Sequence, residues 1–300
     1  MNKRSYHFHE IIYNMKKEFS LIVLTIVFPA IMIAQTGKVF DNLSFKSKIL
    51  KMDRKFSVYL PADYETSNRS YPVLYLLHGS GDDQTGWVQF GEVKLIADRA
   101  IKEGKSTAMI VVMPDANTGR KGYFNSIKED FRYEDFFFQE LIPNIEKTYR
   151  VRAEKQFRAI AGLSMGGGGA IIYAMHHPEM FATACPLSAS FRTQSINHYK
   201  NPTDTTGLTT EQIETYNKQH NPIYLVDNMP DNQKNQVRWY FDVGDDDGLS
   251  ESNFALHIAM RNKGIVHEFR IRDGGHNWSY WREALPEVLD FVSQGFHRIK

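Results

Sequence analysis

Short apolar runs of strand length alternate along the chain with longer stretches of helical spacing. Residues 44–50 and 55–60 read as two antiparallel strands that open a sheet. Pro61 and the polar stretch 62–71 connect them to Val73-Leu74-Tyr75-Leu76-Leu77, which is apolar without alternation, as in a strand buried on both faces. A helix over 92–102 follows, then a second buried strand at 108–113 that stops at Pro114-Asp115. Residues 130–148 read as an amphipathic helix kinked at Pro143. The rhythm continues with a strand at 157–161, a helix at 167–177 and a strand at 182–187. An apolar-rich stretch then begins at Val237, and alternating apolar positions mark a strand at 266–271. Strands alternating with helices predict an α/β fold: a doubly wound, mainly parallel sheet flanked by helices.

Two segments break the rhythm. Residues 195–236 are polar, with Asn201-Pro202, a turn at 204–207 and a helix over Thr210–Gln219 capped by Thr209 or Thr210. Such an insertion either sits over a site as a lid and shapes specificity, or is a passive surface excursion. The second segment is N-terminal. Met15-Lys16-Lys17 is basic, residues 19–34 are apolar but interrupted by Pro29, and a small residue precedes Gln35. That run is short for a membrane span and reads as a signal peptide starting at Met15, cleaved after Ala34, with an upstream extension before it. The alternative is an uncleaved anchor. The expected location is secreted or periplasmic, with no stable membrane insertion after cleavage. Residues 35–300 are long enough and apolar enough for one domain.

Charge narrows the partners. The chain carries 36 Lys/Arg against 35 Asp/Glu; removing residues 1–34 takes away four and two of them, leaving 32 against 33. No basic stripe argues for nucleic acid. Cys185, the one cysteine, sits in an apolar-rich run as a buried hydrophobe and excludes an intrachain disulfide.

Four motifs carry chemistry. Gly162-Leu163-Ser164-Met165-Gly166 stands between a strand and a helix and reads as a nucleophile elbow, a tight turn that lifts a serine hydroxyl out of a sheet. The strand ending at Leu77 runs into His78-Gly79-Ser80-Gly81. A backbone amide there, of Ser80 or Gly81, would join the Met165 amide as an oxyanion donor. Phe241-Asp242-Val243-Gly244-Asp245-Asp246-Asp247-Gly248 ends a strand in an acidic loop, where one carboxylate would hold a histidine tautomer; three adjacent aspartates leave the choice open. Their spacing does not fit an EF-hand. Asp273-Gly274-Gly275-His276-Asn277-Trp278 places a histidine on a flexible turn late in the chain, completing the order Ser, Asp, His. His176, His177, His257 and His267 fall in helical or strand patterns and fit that role less well. Trp87, Tyr123, Phe124, Trp278 and Trp281 lie near these loops and are candidates either to line an acyl or sugar pocket or to fill the core.

The combination of LLHGSGDD at 76–83, YEDFFFQELIPNIEKTYRV at 133–151, GLSMGGGGA at 162–170, GDDDGL at 244–249 and GGHNWSYW at 274–281 resembles the α/β-hydrolase esterase family that includes feruloyl esterases, esterase D (S-formylglutathione hydrolase) and the mycolyltransferases. The resemblance covers roughly residue 44 onward. It implies a catalytic triad of Ser164, Asp247 and His276, with Asp247 taken by position in the pattern G-x-x-D-x-L, and an oxyanion hole from the Ser80 and Met165 amides. It implies a serine carboxylesterase needing no metal or organic cofactor. Together with export, it points to feruloyl or acetyl esters on plant polysaccharide, with Trp87 and Trp278 as substrate-binding candidates. The 202–235 stretch matches no motif of the family, which leaves the substrate open. The other readings are an esterase of small thioesters or siderophore esters, and a non-catalytic carbohydrate-binding or scaffold protein that keeps the fold. Oligomeric state has no signature in the sequence.

Overall fold

The computed structural model describes residues 36–117, 122–191 and 205–297; the leader read at 1–34 and the first part of the 195–236 insertion lie outside them. Eight strands, β1 (Lys38–Lys46), β2 (Asp53–Leu60), β3 (Val73–Leu77), β4 (Ile110–Pro114), β5 (Arg158–Leu163), β6 (Thr183–Leu187), β7 (Arg238–Gly244) and β8 (His267–Arg272), form one sheet. Their order is β1-β2-β4-β3-β5-β6-β7-β8. β2 is antiparallel to both β1 and β4, and every later pair is parallel. Every residue of β3, β4, β5 and β6 is buried, as the unalternating apolar runs of β3 and β4 require; β5 and β6 bury the polar Arg158 and Thr183 as well.

Two apolar layers cover the sheet. On one face, Tyr75, Ile160 and Phe241 pack with Phe137, Ile171 and Tyr173. On the other, Leu74, Ala161 and Tyr240 pack with Ala97, Leu285 and Val292. Cys185 is buried in this second layer, where enclosure pushes its thiol above the ordinary range. Because β3 pairs β4 on one side and β5 on the other, the strand order reverses there. Open α/β sheets carry their sites in the crevice at such a switch point. The register sets Leu77 beside Gly162, so the turn after β3 and the turn after β5 leave the sheet side by side.

Three expectations shift. The first strand is Lys38–Lys46 rather than 44–50. Ile49 and Leu50 instead belong to the β1–β2 connection, where the Glu140 carboxylate accepts the Lys48 and Ile49 amides at 2.8 and 3.2 Å and the Ser47 hydroxyl. Those amides are satisfied by a side chain and not by a neighbouring strand. The 130–148 helix is two short α-segments, Tyr133–Phe136 and Ile142–Thr148, joined by a π-helical turn over Phe137–Leu141. Pro143, which cannot donate, sits just after that turn in the first turn of the second segment, and the widened ladder takes up its missing bond. The second buried strand is Ile110–Pro114, shifted slightly toward the carboxyl side.

The helix at Thr210–Gln219 forms as expected. Thr209 is its cap, with the Gln212 amide donating to the Thr209 hydroxyl at 3.2 Å and the Thr209 amide to the Gln212 side chain at 2.8 Å. It docks by its carboxyl end: the Tyr216 hydroxyl donates to the Asn125 carbonyl at 2.9 Å, and His176 Nε2–H to the Gln219 carbonyl at 2.9 Å. His176 ends the helix Met165–His176, so these contacts bear on the end of that helix remote from Ser164. The other ring nitrogen of His176 lies 2.8 Å from the Glu134 carboxylate. Both nitrogens face acceptors that cannot donate, so the ring is held as imidazolium. Burial opposes that charge, but the bonds to Glu134 and Gln219 outweigh it and raise the His176 pKa. Burial would likewise raise Glu134, yet the bonds from His176 and His177 pull it down to about 2.

The sign of the resulting pH dependence follows. The Glu134 contribution is present above the ordinary carboxylate value and fades as pH falls toward about 2; the His176 contribution is present below the ordinary imidazole value and fades as pH rises through its raised one. Glu134→Gln is expected to cost about 1.5–3 kcal/mol near neutral pH in urea unfolding, with the gap to wild type shrinking in acid. An undiminished gap in acid would contradict the assignment.

Candidate active site

β5 ends in a turn whose centre, Ser164, has φ 52° and ψ −116°, a conformation that residues with a Cβ rarely adopt. Three backbone bonds hold it there. The Ser164 amide donates to Leu187 at 2.9 Å, and its carbonyl accepts from Gly168 at 3.0 Å and Ser190 at 2.8 Å. Close approach dictates the glycines. A Cβ on Gly166 would stand 2.6 Å from the carbonyl oxygens of both Leu77 and His78, and one on Gly162 would stand 2.5 Å from the Gly166 carbonyl. Without side chains there, the helix Met165–His176 can start directly against the end of β3.

Three distant loops converge on the serine. Ser164 Oγ lies 2.9 Å from His276 Nε2. His276 Nδ1 lies 2.9 and 3.1 Å from the two carboxylate oxygens of Asp247, whose side chain is completely enclosed. The Leu249 amide donates to the same carboxylate at 2.8 Å. The structure thus brings Ser164, His276 and Asp247 together. It also separates Asp247 from its neighbours: Asp245 and Asp246 are exposed beside Asp273, and Asp245 accepts the Gly274 amide at 3.0 Å. Asp245 and Asp246 also donate their own amides to Arg272 and Gly274, at 3.0 and 3.1 Å. Those bonds lace the acid loop to the histidine loop. The His276 ring stands edge-on to Trp281, with centroids 4.9 Å apart.

The turn after β3 stands against the elbow, since a Cβ on Gly79 would fall 3.5 Å from Ser164 Cβ. Asp82 donates its amide to the Gly79 carbonyl at 3.3 Å, with Gly81 at φ 95° in the position a tight turn reserves for glycine. Ser80 is exposed on this turn. Met165 begins the elbow helix, so its amide is one of the donors a helix N-terminus leaves without a partner in the helix. His78 is buried beneath: its Nε2 accepts the Ala116 amide at 2.9 Å, and its Nδ1–H donates to the Gly79 carbonyl at 2.8 Å. Burial lowers its pKa and keeps the ring neutral.

A family model described as "Putative esterase" matches residues 47–292. The chain belongs to this esterase family. An esterase of Mycobacterium tuberculosis is 31% identical over 256 residues, 77% of this chain and 54% of that protein. The chain therefore spans about half the length of such curated relatives. A Xylanibacter ruminicola protein named endo-1,4-beta-xylanase/feruloyl esterase is 41% identical over 150 residues, 47% of this chain and 20% of that protein. A solved structure of a ferulic acid esterase superposes with a TM-score of 0.77 at 37% identity, covering 87% of this chain and 99% of that one.

In this esterase-family chain the aromatic candidates part company. Trp87 is fully buried, and its indole N–H donates to the Leu77 carbonyl at 3.0 Å, so it has no surface to offer a substrate. It is a core residue, and the substrate-binding expectation for it is corrected. Tyr123 and Trp281 are buried too, bonded to the His78 carbonyl at 3.0 Å and the Ser188 hydroxyl at 3.0 Å. Phe124 packs on His220 and Tyr173. Trp278 alone among them is both partly open and close to the motif loops: it packs on Trp87, Phe90 and Trp281 and lies beside Gly86. The sequence reading missed Asn253, whose buried amide binds both backbone groups of Ala189 and the Leu249 carbonyl, tying the acid loop to the segment behind Ser164. A single asparagine in a helical pattern carries no signal for that role.

Gly166→Ala is expected to destabilise the fold by about 1–3 kcal/mol, because the added methyl meets rigid backbone on two sides. Thermal melting checks it; an unchanged midpoint would mean that the elbow helix can retreat from β3.

Proposed function

We propose that the chain is an exported serine carboxylesterase that releases feruloyl or acetyl groups from plant polysaccharide. The observation that carries the chemistry is the hydrogen-bonded series Ser164–His276–Asp247, 2.9 Å at each junction. In this reading His276 Nε2 takes the Ser164 proton as Oγ attacks the ester carbonyl. Asp247 holds the Nδ1–H tautomer and stabilises the imidazolium that forms. The Met165 and Ser80 amides receive the oxyanion, each contributing about 3 kcal/mol to the barrier reduction. His276 then gives its proton to the leaving alkoxide, and an alcohol departs from the acyl-enzyme. Water, deprotonated by the same imidazole, attacks the acyl carbon; Ser164 leaves with the proton and the acid is released.

Several observations support the polysaccharide-ester class. The similarity to the ferulic acid esterase extends over nearly the whole of that chain. The partly open indole of Trp278 at the rim is an apolar surface of the kind an aromatic acyl group stacks on. The basic-then-apolar pattern at 15–34 supports export.

Hydrolysis of p-nitrophenyl acetate tests the chemistry. Ser164→Ala is expected to lose on the order of 10⁴- to 10⁶-fold in kcat, and Asp247→Asn about 10⁴-fold. Asp245→Asn and Asp246→Asn keep most of their activity in this reading, since neither carboxylate touches His276. Full turnover by Asp247→Asn would remove the acid assignment, and full turnover by Ser164→Ala the enzyme itself. Methyl ferulate, acetylated xylan and S-formylglutathione offered in parallel test the substrate: preference for the thioester would replace the polysaccharide reading.

A further inference from the structure

Asp242 is a second buried carboxylate, five positions before Asp247 on the same chain segment, and the proposed chemistry does not use it. Its side chain is fully enclosed. Tyr240 donates to its Oδ2 at 2.8 Å, Arg272 Nη2 donates to the same oxygen at 2.5 Å, and the Tyr280 hydroxyl donates to its Oδ1. Two of these three donors occupy special places. Arg272 is the last residue of β8, and Tyr280 lies in the first turn of the helix Trp278–His297. Between them runs the segment 273–279, which carries His276.

We infer that Asp242 is a positioning residue for His276, acting through Arg272 and Tyr280 as the two feet of the histidine loop. The inference rests on the triad reading above. The loop needs such feet. It contains Gly274, at φ 137°, and Gly275, so its backbone has little conformational preference of its own. Tyr280 also supports the loop directly: a Cβ on Gly274 would meet its ring at 2.7 Å. The partner on the other side is fixed as well, because Asp242 lies within β7 and its carbonyl accepts the Ser188 amide at 2.8 Å. One rigid strand therefore sets both ends of the histidine loop, and it continues directly into the loop that bears Asp247.

The group has to be a carboxylate. Three donors converge on its two oxygens, and an amide in its place would point an N–H at one of them. The Arg272 charge compensates the buried anion. An error of about 1 Å in a reacting group can cost on the order of 10²-fold in rate, so the feet matter to turnover even though none of them touches Ser164.

The test compares two tyrosines on one carboxylate. Tyr280→Phe removes a foot of the loop; Tyr240→Phe removes a donor of the same kind that holds no part of the loop. Tyr280→Phe is expected to lower kcat for p-nitrophenyl acetate by about 10- to 100-fold with KM little changed. It should also shift or broaden the low-field proton resonance of His276 Nδ1–H. Tyr240→Phe is expected to keep near-wild-type kcat and that resonance while losing comparable thermal stability. Asp242→Asn should reproduce the Tyr280→Phe kinetics; if it does not fold, the tyrosine pair decides alone. Equal kcat losses in the two tyrosine variants, or an unaltered kcat and resonance in Tyr280→Phe, would overturn the inference. If Ser164→Ala is silent while Tyr280→Phe is fully active, the positioning role fails and the triad stands. If Ser164→Ala is active, both fail.

Discussion

The site depends on one backbone constraint, the left-handed turn at Ser164. A residue with a side chain at φ 52° carries strain of about 1–3 kcal/mol, and it persists only where its surroundings over-determine it. Here two hydrogen bonds to β6 and its following segment, and a third from Gly168 in the elbow helix, hold the peptide groups on either side of the serine. The absence of side chains at Gly162 and Gly166 lets the next helix press against β3. The turn is therefore a product of the sheet: remove the register that sets Leu77 beside Gly162 and the neighbouring turns no longer face each other. The hydroxyl is presented by packing behind it and not by a flexible arm.

The acidic segment shows how environment divides labour among identical residues. Asp242 is saturated by an arginine and two phenols and makes no contact with the serine. Asp247, equally buried, receives one backbone amide and His276. Asp245 and Asp246 reach solvent and serve as backbone staples between two loops. The partners on the receiving side, more than the carboxylates themselves, decide which anion can stabilise a passing imidazolium. On the other face of the sheet the same logic makes His176 a cation between Glu134 and a helix-end carbonyl, while His78, with an amide on Nε2 and a carbonyl on Nδ1, stays neutral.

Much of this is legible in the sequence. The unalternating runs at Val73–Leu77 and 108–113 point to buried strands because burial on both faces leaves no polar position in the pattern. The elbow was legible because its glycines answer to contacts fixed by the turn itself. Thr209 with Gln212 wrote its own helix start in local chemistry. What failed involved partners remote in sequence. The first strand was misplaced because Glu140, some ninety positions away, satisfies the amides at 48 and 49. Trp87 looked like a pocket residue because it follows a motif loop, and only the sheet reveals that its indole turns inward to Leu77. Asp242 stands in the acidic motif with no sequence signal of its partners, since neither Arg272 nor Tyr280 lies near it along the chain.

Ser164 and His276 are 112 positions apart, and the imidazole reaches the hydroxyl only when the helix that follows it has docked across the second apolar layer. Loop-closure entropy makes such long-range docking a late event in folding. A nascent chain can thus build the elbow before the histidine loop is in place. Under the proposed chemistry, hydrolytic competence would arrive with the long-range closure of the domain, so a measured turnover would also be a census of molecules that have finished folding.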